Sequence, residues 1–305
     1  MKMGSGTHVY DIAKGWDKLP EGIKYGYTHG VVTDSQDRVY IHNMSKNAVI
    51  VFDRDGNFLN SWGEEFAEGA HGMLLNKEGS EEFLYFADIA RGLIVKTTLD
   101  GKVLLSIGAP DLPDVYDAEK KYVPTDVAVA PNGDIYAADG YGQSWVHQYN
   151  AKGEYIRSFG GKGSDPGQFN SPHGISVDTR GSKPVLYVAD RSNNRIQVLT
   201  LDGKHIRFVT EEMDLPCSFF QYQDELYLPD LHSRATILDK NDKLITHLGE
   251  DQEAHKQEGW PNLPQDYYMV DKFSSPHGIC VDAHGDVYLV EWTIGGRVTK
   301  LIRNR

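Results

Sequence analysis

The chain has 305 residues, of which 40% are hydrophobic, enough for a large core in one repeat domain or in two ordinary domains. Its 44 Asp and Glu residues outnumber its 31 Lys and Arg residues, so the formal net charge is −13, and no Lys/Arg-rich run stands out. Such a surface repels a phosphate backbone, which excludes nucleic acid as an expected partner.

Cysteine content and hydropathy limit which cellular compartment and which partners we expect. Cys217 and Cys280 are too few for a disulfide framework, and their separation fits no zinc-knuckle spacing. The segment 1–16 has no apolar signal-peptide core, and no run approaches the roughly 18 apolar residues of a membrane helix. We therefore expect no membrane partner. The sequence as given is compatible with the cytoplasm, and export of a longer precursor stays open.

Six related segments follow one another along the chain, and residues 169–204 show the pattern most clearly. There, β-rich runs at Gly174–Asp178, Val185–Asp190 and Arg195–Thr200 are separated by turn residues, and a fourth run starts near His205. The six copies begin with the following residues, 42, 54, 48, 44 and 60 positions apart: His29, His71, Thr125, His173, Cys217 and His277. A period of about 40–50 residues with four strands per unit is typical of propeller blades.

Each copy also predicts a second strand that carries a tyrosine and ends on a polar residue. In chain order these strands are Tyr40–Asn43, Tyr85–Asp88, Tyr136–Asp139, Tyr187–Asp190, Tyr227–Asp230 and Tyr288–Glu291. Fourth strands are predicted at Phe58–Trp62, Val103–Ile107, Tyr155–Phe159, His205–Val209 and Leu244–Leu248. The sixth copy ends after three strands, so we expect His8–Ile12 to supply its outer strand. The prediction is one all-β domain over residues 1–305, a six-bladed β-propeller closed by its N-terminal strand.

Three longer connections precede first strands, at Ala109–Tyr122, Gly161–Ser171 and Glu250–Ser274. In a propeller such loops lie on the face where the innermost strands begin. Loops on a rigid scaffold often carry functional residues. We therefore expect this face to carry irregular loops with aromatic and charged side chains, including those of Trp260 and Tyr267.

Histidines recur at the starts of the innermost strands. Alternate blades of a six-bladed ring are related by about 120°, so His71, His173 and His277 are expected to converge on the channel axis. Three imidazoles with a fourth position open form the ligand set of a catalytic zinc site. Each histidine taken alone is better explained by a hydrogen bond to a neighbouring loop, and it is the three symmetry-matched positions together that favour a metal site. His29 is expected to line the channel, with a supporting role or a place as an additional ligand as the alternative. Cys217 is expected to fill a crowded strand start, with a thiolate that reaches the metal as the alternative.

The repeats, with Val-Ala-Asp-Arg-Ser-Asn-Asn-Arg-Ile-Gln-Val after Pro-His-Gly, resemble NHL repeats. A more specific resemblance rests on residues 122–200, namely Pro124–Val129, Asp139-Gly140-Tyr141, Pro166–Phe169 with Pro172-His173, and Ala189-Asp190-Arg191. Together with Ala70-His71-Gly72 and Pro276-His277, these segments are similar to the lyase domain of peptidylglycine amidating enzymes, peptidyl-α-hydroxyglycine α-amidating lyase.

That resemblance implies roles for particular residues. It implies zinc on His71, His173 and His277, a tyrosine that handles the proton at Tyr141, and an arginine beside it at Arg191. Read without the resemblance, Tyr141 is a turn aromatic, and Arg191 forms an ion pair with Asp190 or Asp139. The expected partner is a small or peptide-like substrate in the channel of a monomer.

Three positions depart from the family pattern. The carboxylate ligand of the family's structural calcium falls on Gly278, which argues against calcium here. An arginine expected near the end of the second strand of the first copy is replaced by His42-Asn43-Met44, and a methionine before Pro-His by Ser275. Loss of that arginine removes a clamp for the substrate carboxylate or carbonyl. Two other functions stay open, a lactonase-like metallohydrolase and a non-enzymatic interaction module.

Overall fold

The structure is a computed structural model that describes residues 2–304. Within this range it contains 25 β-strands, no α-helix and three short 3₁₀ helices, at Glu64–Phe66, Arg191–Asn193 and Ala254–Lys256. None of the described helices has the length and hydropathy needed to cross a membrane. The strands form six antiparallel sheets, and the fold class is the predicted six-bladed β-propeller.

The chain divides into two compact units, each containing three blades. The first unit comprises Met1–Ala67 with Phe219–Arg305, and the second comprises Glu68–Ser218. The prediction of a single domain over residues 1–305 stays a prediction.

Blades one, five and six belong to the first unit. Blade one contains β3 (Thr28–Thr33), β4 (Val39–Asn43), β5 (Val49–Phe52) and β6 (Phe58–Trp62). Blade five contains β19 (Phe220–Tyr222), β20 (Glu225–Asp230), β21 (Arg234–Leu238) and β22 (Leu244–Leu248). Blade six contains β23 (Pro276–Val281), β24 (Val287–Glu291), β25 (Arg297–Arg303), β2 (His8–Ala13) and β1 (Lys2–Ser5).

Blades two, three and four belong to the second unit. Blade two contains β7 (Ala70–Glu78), β8 (Glu81–Asp88), β9 (Leu93–Thr97) and β10 (Val103–Ile107). Blade three contains β11 (Asp126–Val129), β12 (Ile135–Ala138), β13 (Trp145–Tyr149) and β14 (Tyr155–Gly160). Blade four contains β15 (Pro172–Asp178), β16 (Val185–Asp190), β17 (Arg195–Leu199) and β18 (His205–Val209).

The N-terminal segment completes the last blade, as predicted. Strand β2 pairs antiparallel with β25, with Tyr10 opposite Arg303 and Ala13 opposite Lys300. The sequence did not indicate β1, which pairs with β2 and adds a fifth strand at the sheet edge. The N-terminal strand β2 and the C-terminal strand β25 are therefore hydrogen-bonded neighbours in one sheet.

The repeated tyrosine of the second strands belongs to the core. Its ring is buried in all six blades, at Tyr40, Tyr85, Tyr136, Tyr187, Tyr227 and Tyr288. Its hydroxyl often reaches an acidic residue near the hairpin turn, as in Tyr40 with Asp34 and Tyr288 with Asp282. A buried tyrosine needs such a partner for its hydroxyl, which explains why the position pairs an aromatic ring with a nearby carboxylate.

One strand prediction is wrong in its start. Blade five was expected to begin its first strand at Cys217, but β19 begins at Phe220. The main-chain oxygen of Cys217 instead accepts a hydrogen bond from the side chain of His173. This oxygen is thereby satisfied by a neighbouring blade, and Cys217 precedes the strand.

Candidate functional site

His71 lies at the start of β7, where it is almost fully buried. Its Nδ1 atom is 2.6 Å from the main-chain oxygen of Thr125, which precedes the first strand of the next blade. A carbonyl oxygen can only accept, so Nδ1 must carry the proton and donate. In the neutral imidazole this leaves the lone pair on Nε2.

His173 repeats this arrangement two blades further along the chain. It lies in β15, it is buried, and its Nδ1 atom donates to the main-chain oxygen of Cys217 over 2.8 Å. The rings of His71 and His173 meet edge to face with their centroids 4.8 Å apart. Both rings thus lie side by side in the second unit with the same tautomer fixed.

His277 has the same hydrogen bond within the first unit. It lies in β23, and its Nδ1 atom is 3.0 Å from the main-chain oxygen of His29. The ring of His29 packs against that of His277 at a centroid distance of 4.6 Å. His29 therefore supports His277 through its main chain and its ring.

The glycine after each of these histidines is required by the same neighbour. A Cβ atom on Gly72 would lie 2.3 Å from Oδ1 of Asp126, and one on Gly174 would lie 2.3 Å from the oxygen of Cys217. On Gly278 it would lie 2.5 Å from the oxygen of His29. The His-Gly pair is thus a local signature in which the strand start meets the neighbouring blade through a side-chain hydrogen bond and a bare Cα.

Tyr141 places its hydroxyl between two of these histidines. Its Oη atom is 3.2 Å from Nε2 of His71 and 3.0 Å from Nε2 of His173. The side chain as a whole is 42% exposed, so one part of the ring faces solvent while the hydroxyl reaches the imidazoles. The two Nε2 lone pairs therefore point to one position, and Tyr141 provides a proton there.

Arg191 lies beside the same hydroxyl. Both terminal nitrogens are 3.5 Å from Tyr141 Oη, and the guanidinium carbon is 5.4 Å from the centre of the Tyr141 ring. Burial raises the pKa of Tyr141, while the positive charge and hydrogen bonds of Arg191 oppose that rise. Asp190, the expected ion-pair partner of Arg191, pairs instead with Arg195 at 2.7 Å.

The polar residue that ends the second strands has a structural task that the sequence did not reveal. It accepts hydrogen bonds from the main chain that enters the adjacent first strand, as Asp139 does from Val123 and Asp190 from Asn170. Glu291 accepts from Ser274 and Ser275 in the same way. We call this interaction the blade latch. It fixes the position of the strand start in blades three, four and six, and the polar residue recurring at the second-strand ends was the only signal for it.

Asn43 is the latch of blade one, which accounts for the missing arginine. Its Oδ1 atom accepts from the main-chain N–H of Gly26, and its Nδ2 atom donates to the oxygens of Asn47 and Ala48. The Asn43 side chain is fully buried, and its polar atoms are occupied by these hydrogen bonds. The position therefore does not offer a clamp for substrate.

Asp139 also shapes the turn that carries Tyr141. Its Oδ2 atom accepts from the main-chain N–H of Gln143 over 2.6 Å and from the hydroxyl of Tyr116 over 2.8 Å. Tyr116, which lies in the loop at Ala109–Tyr122, also contacts Nε2 of His147 at 2.5 Å. Burial raises the pKa of Asp139 to about 6. The loop before blade three is thereby tied to the Tyr141 turn.

The structure brings four of the five predicted site residues together in the second unit: His71, Tyr141, His173 and Arg191. His277 belongs to the first unit, and its place in the ligand set stays a prediction. The main-chain oxygens of His29 and Cys217 accept hydrogen bonds from His277 and His173, a role that the sequence did not indicate. Gly278 has no space for a side chain.

Comparison with known proteins supports the repeat and the resemblance. The NHL repeat family matches residues 169–199. NHL repeat-containing protein 3 of Homo sapiens is 29% identical over 204 residues, covering 64% of this chain and 57% of that protein. A probable peptidyl-α-hydroxyglycine α-amidating lyase of Caenorhabditis elegans is 27% identical over 157 residues, covering 50% of this chain and 43% of that protein. The chain therefore spans about half the length of these relatives.

Among solved structures, a streptogramin B lyase superposes with a TM-score of 0.66 and 15% sequence identity, covering 99% of this chain and 98% of that one. At this identity the similarity supports the fold alone. The chain is a β-propeller in which residues 169–199 match the NHL repeat, and its sequence is similar to that of a protein named as a probable amidating lyase.

Proposed function

We propose that the protein is a zinc-dependent carbon–nitrogen lyase that cleaves an α-hydroxylated amide into an amide and glyoxylate, or acts on a related small hydroxylated substrate. One observation carries the proposal. Nε2 of His71 and Nε2 of His173 lie 3.2 and 3.0 Å from Tyr141 Oη, and both rings have Nδ1 hydrogen-bonded to a main-chain oxygen. The arrangement combines two histidines that can bind a metal with a tyrosine that can transfer a proton.

The residues present fit a zinc ion. Zinc binds neutral imidazole nitrogens, and its histidine ligands usually donate their other N–H to a carbonyl or carboxylate. His71 and His173 have this outer hydrogen bond, and His277 has it in its own unit. We propose these three as the ligands, with His277 included on its repeat position and its identical hydrogen bond. When bound, zinc makes a coordinated hydroxyl more acidic.

The reaction requires one proton to move as one bond breaks. In a carbinolamide, the hydroxyl oxygen becomes the aldehyde oxygen as the carbon–nitrogen bond opens, and the departing nitrogen gains a proton. The Tyr141 phenol can donate its proton to that nitrogen and take the proton of the substrate hydroxyl in its place. The products are the amide and the aldehyde, and Tyr141 ends as the phenol with which it began.

Arg191 makes this exchange easier. A phenol has a pKa of about 10 in water, and any negative charge that develops on its oxygen during proton transfer needs stabilisation. The Arg191 guanidinium lies 3.5 Å from that oxygen and opposes the rise in the Tyr141 pKa caused by burial. We propose that Arg191 stabilises the oxygen and helps to orient the substrate carboxylate.

The proposed partner is a small or peptide-like substrate, and the proposed assembly state is a monomer. The charge of −13 supports a partner other than nucleic acid. Calcium is not proposed, because Gly278 offers no carboxylate and has no space for one.

The test combines metal analysis with an assay on α-hydroxyhippurate. We expect about one zinc per chain, and conversion of α-hydroxyhippurate into equal amounts of benzamide and glyoxylate. Removal of zinc by a chelator should abolish the activity, and added zinc should restore it. A folded protein that binds no zinc, or that retains full activity without metal, would refute the proposal.

A further inference from the structure

Ser158, on the outer strand of blade three, lies against a buried histidine of the neighbouring strand. Ser158 in β14 pairs with His147 in β13, and its Oγ atom is 2.6 Å from Nδ1 of His147. His147 is fully buried, whereas Ser158 is partly exposed. The pair therefore joins a buried imidazole to a serine that solvent can reach.

The protons of this network can be placed one after another. Tyr116 donates its hydroxyl hydrogen to Oδ2 of Asp139, so its oxygen must accept from Nε2 of His147, which lies 2.5 Å away. Nε2 therefore carries the proton of the neutral imidazole, and Nδ1 has the lone pair. The Ser158 hydroxyl then donates to Nδ1. Hydrogen bonds thus run in one direction from the serine through histidine and tyrosine to a carboxylate.

This order of groups is the one that activates a serine for acyl transfer. It requires a nucleophile, a base, and a carboxylate that fixes the tautomer of the base and stabilises its protonated form. Burial lowers the pKa of His147 to about 4, so its lone pair is available throughout the neutral range. The same burial makes the imidazolium costly, and the negative charge of Asp139, transmitted through Tyr116, offsets part of that cost.

The same serine position occurs in blades one and two without a histidine opposite it. Ser61 in β6 pairs with Ile50, and Ser106 in β10 pairs with Val95. An aliphatic side chain offers no base to either serine. The serine is therefore a feature of the repeat, and among these three blades the histidine is particular to blade three.

Blade five also pairs a hydroxyl with a histidine, but its proton points the other way. Thr236 Oγ1 donates to Oδ2 of Asp230 over 2.6 Å. Nδ1 of His247, 3.0 Å from the same Thr236 oxygen, must therefore donate to it. His247 is not placed to act as a base for this hydroxyl.

A further hydroxyl lies beside Ser158. The register of β14 against β13 leaves Ile156 as an extra residue, and such a bulge changes the direction of neighbouring side chains. The hydroxyl of Tyr155 lies 3.0 Å from Ser158 Oγ and, since the serine proton points to His147, Tyr155 donates. A donor beside the nucleophile can stabilise the oxygen that becomes negative during acyl transfer.

We propose that Ser158 is a nucleophile that accepts an acyl group from small activated carboxylic esters, with His147 as its base. The Ser158 proton moves to His147 Nδ1 as Oγ bonds to the ester carbonyl carbon. The bond from that carbon to the alcohol oxygen then breaks, and the alcohol leaves with the proton from His147. Water hydrolyses the acyl-serine by the same proton route and releases the carboxylic acid. This activity is separate from the lyase reaction and requires no zinc.

The test uses p-nitrophenyl acetate, whose good leaving group makes acylation faster than hydrolysis of the acyl-serine. The full chain near neutral pH should release a burst of p-nitrophenol. After an acid quench, peptide mass spectrometry should find an acetyl group on Ser158 and none on Ser61 or Ser106, which serve as controls within the same molecule. Chelation of zinc should leave the burst unchanged. No acetyl group on Ser158, or equal labelling of the three serines, would overturn the proposal.

Variants of the two serines locate the burst. Ser158→Ala should remove it, and Ser106→Ala, the matched change on the outer strand of blade two, should not. A burst of native size in Ser158→Ala would assign the reaction to another group and refute the proposal.

His147→Gln tests the base with a residue that the scaffold accepts. Gln197 stands at the same place in the third strand of blade four, where it donates to Asp190. The variant should acetylate Ser158 about 10²–10⁴-fold more slowly, the usual contribution of a positioned base. If it does not fold, Tyr116→Phe interrupts the same chain and should lower the rate by about 10-fold. A native rate in a folded variant of either kind would contradict the role of this chain.

Discussion

Nδ1 of His71 lies 2.6 Å from the main-chain oxygen of Thr125, in the neighbouring blade. Since that oxygen cannot donate, the contact fixes one tautomer of His71, and His173 and His277 are fixed in the same way by Cys217 and His29. We predict that all three imidazoles carry their proton on Nδ1 in metal-free protein near neutral pH. Nitrogen-15 NMR of the histidine side chains measures this directly. A proton on Nε2 of His71 or His173 would contradict the ligand assignment.

Removal of one ligand should release the metal. We predict that His173→Ala lowers bound zinc from about one equivalent to well below half, because zinc held by three imidazoles loses much of its affinity with two. His277→Ala should have the same effect, which tests its membership of the set. Elemental analysis after dialysis gives the result.

The matched control for these variants is His284→Ala. His284 lies on the surface, where it pairs with Asp37, and its removal should leave the zinc content unchanged. Full zinc occupancy in His277→Ala would show that the site needs only residues of the second unit.

Replacement of Tyr141 by phenylalanine tests the proton carrier. Tyr141→Phe removes only the hydroxyl and should lower kcat for α-hydroxyhippurate by about 10²–10⁴-fold, the usual contribution of a positioned proton donor. Zinc content and the unfolding midpoint should change little. Steady-state kinetics provide the measurement, and Tyr155→Phe, on the exposed strand β14, is the control. A variant with nearly normal kcat would assign proton transfer to another group.

Asp126 should make stability depend on pH. Burial raises the pKa of its carboxyl to about 7, although the main-chain N–H of Ile175 donates to it. The folded state therefore holds this proton more tightly than the unfolded state, so the associated stability is complete below about pH 4 and is lost as pH rises to about 7. A shift of this size corresponds to about 4 kcal/mol.

Asp126→Asn should abolish that loss, since asparagine retains an oxygen for the Ile175 N–H and carries no charge. Denaturant unfolding at pH 4.5 and pH 8 should show the variant gaining stability relative to the native protein as pH rises. Asp165→Asn, on the exposed loop before blade four, controls for the loss of one negative charge. An equal difference between native and variant protein at both pH values would show that Asp126 is not the titrating group.

The N-terminal strand should be necessary for full stability. Deletion of residues 1–15 removes β2 and exposes the edge of β25, with which it pairs from Tyr10 to Ala13. We predict a fall of several degrees in the unfolding midpoint measured by calorimetry. Deletion of residues 1–5 removes only the outermost strand β1 and should cost much less. An unchanged midpoint in the longer deletion would mean that β2 contributes nothing to blade six.

Much of the fold could be predicted because the repeat is periodic in several independent signals. Tyrosine, polar strand end and turn residues recur together, so the outer strands Phe58–Trp62, Val103–Ile107, His205–Val209 and Leu244–Leu248 have the predicted bounds. The start of the first strand of blade five was wrongly predicted at Cys217. The hydrogen bond between Cys217 and the neighbouring blade leaves no local pattern in the sequence. Strand β1 was not predicted, because it lies outside the repeat pattern.

The site was predictable to a different degree. The histidines stood out by their positions in the repeat, whereas Tyr141 and Arg191 were recognised only through resemblance, since each occurs in a turn of ordinary composition. The recurring polar residue did not reveal that Asn43 or Glu291 holds main-chain N–H groups, because such contacts join residues 17 positions apart whose relation depends on the folded sheet.

Because of the blade latches, the position of a strand start does not depend on the length of the loop that precedes it. Ser274 is held by Glu291 although 24 residues without a β-strand, 250–273, come before it. Insertions in these connections can therefore be exchanged, lengthened or shortened while the strand start and its histidine stay where they are. We therefore expect this loop to tolerate replacement by loops of other lengths, because the hydrogen bonds to Glu291 hold the chain just before His277.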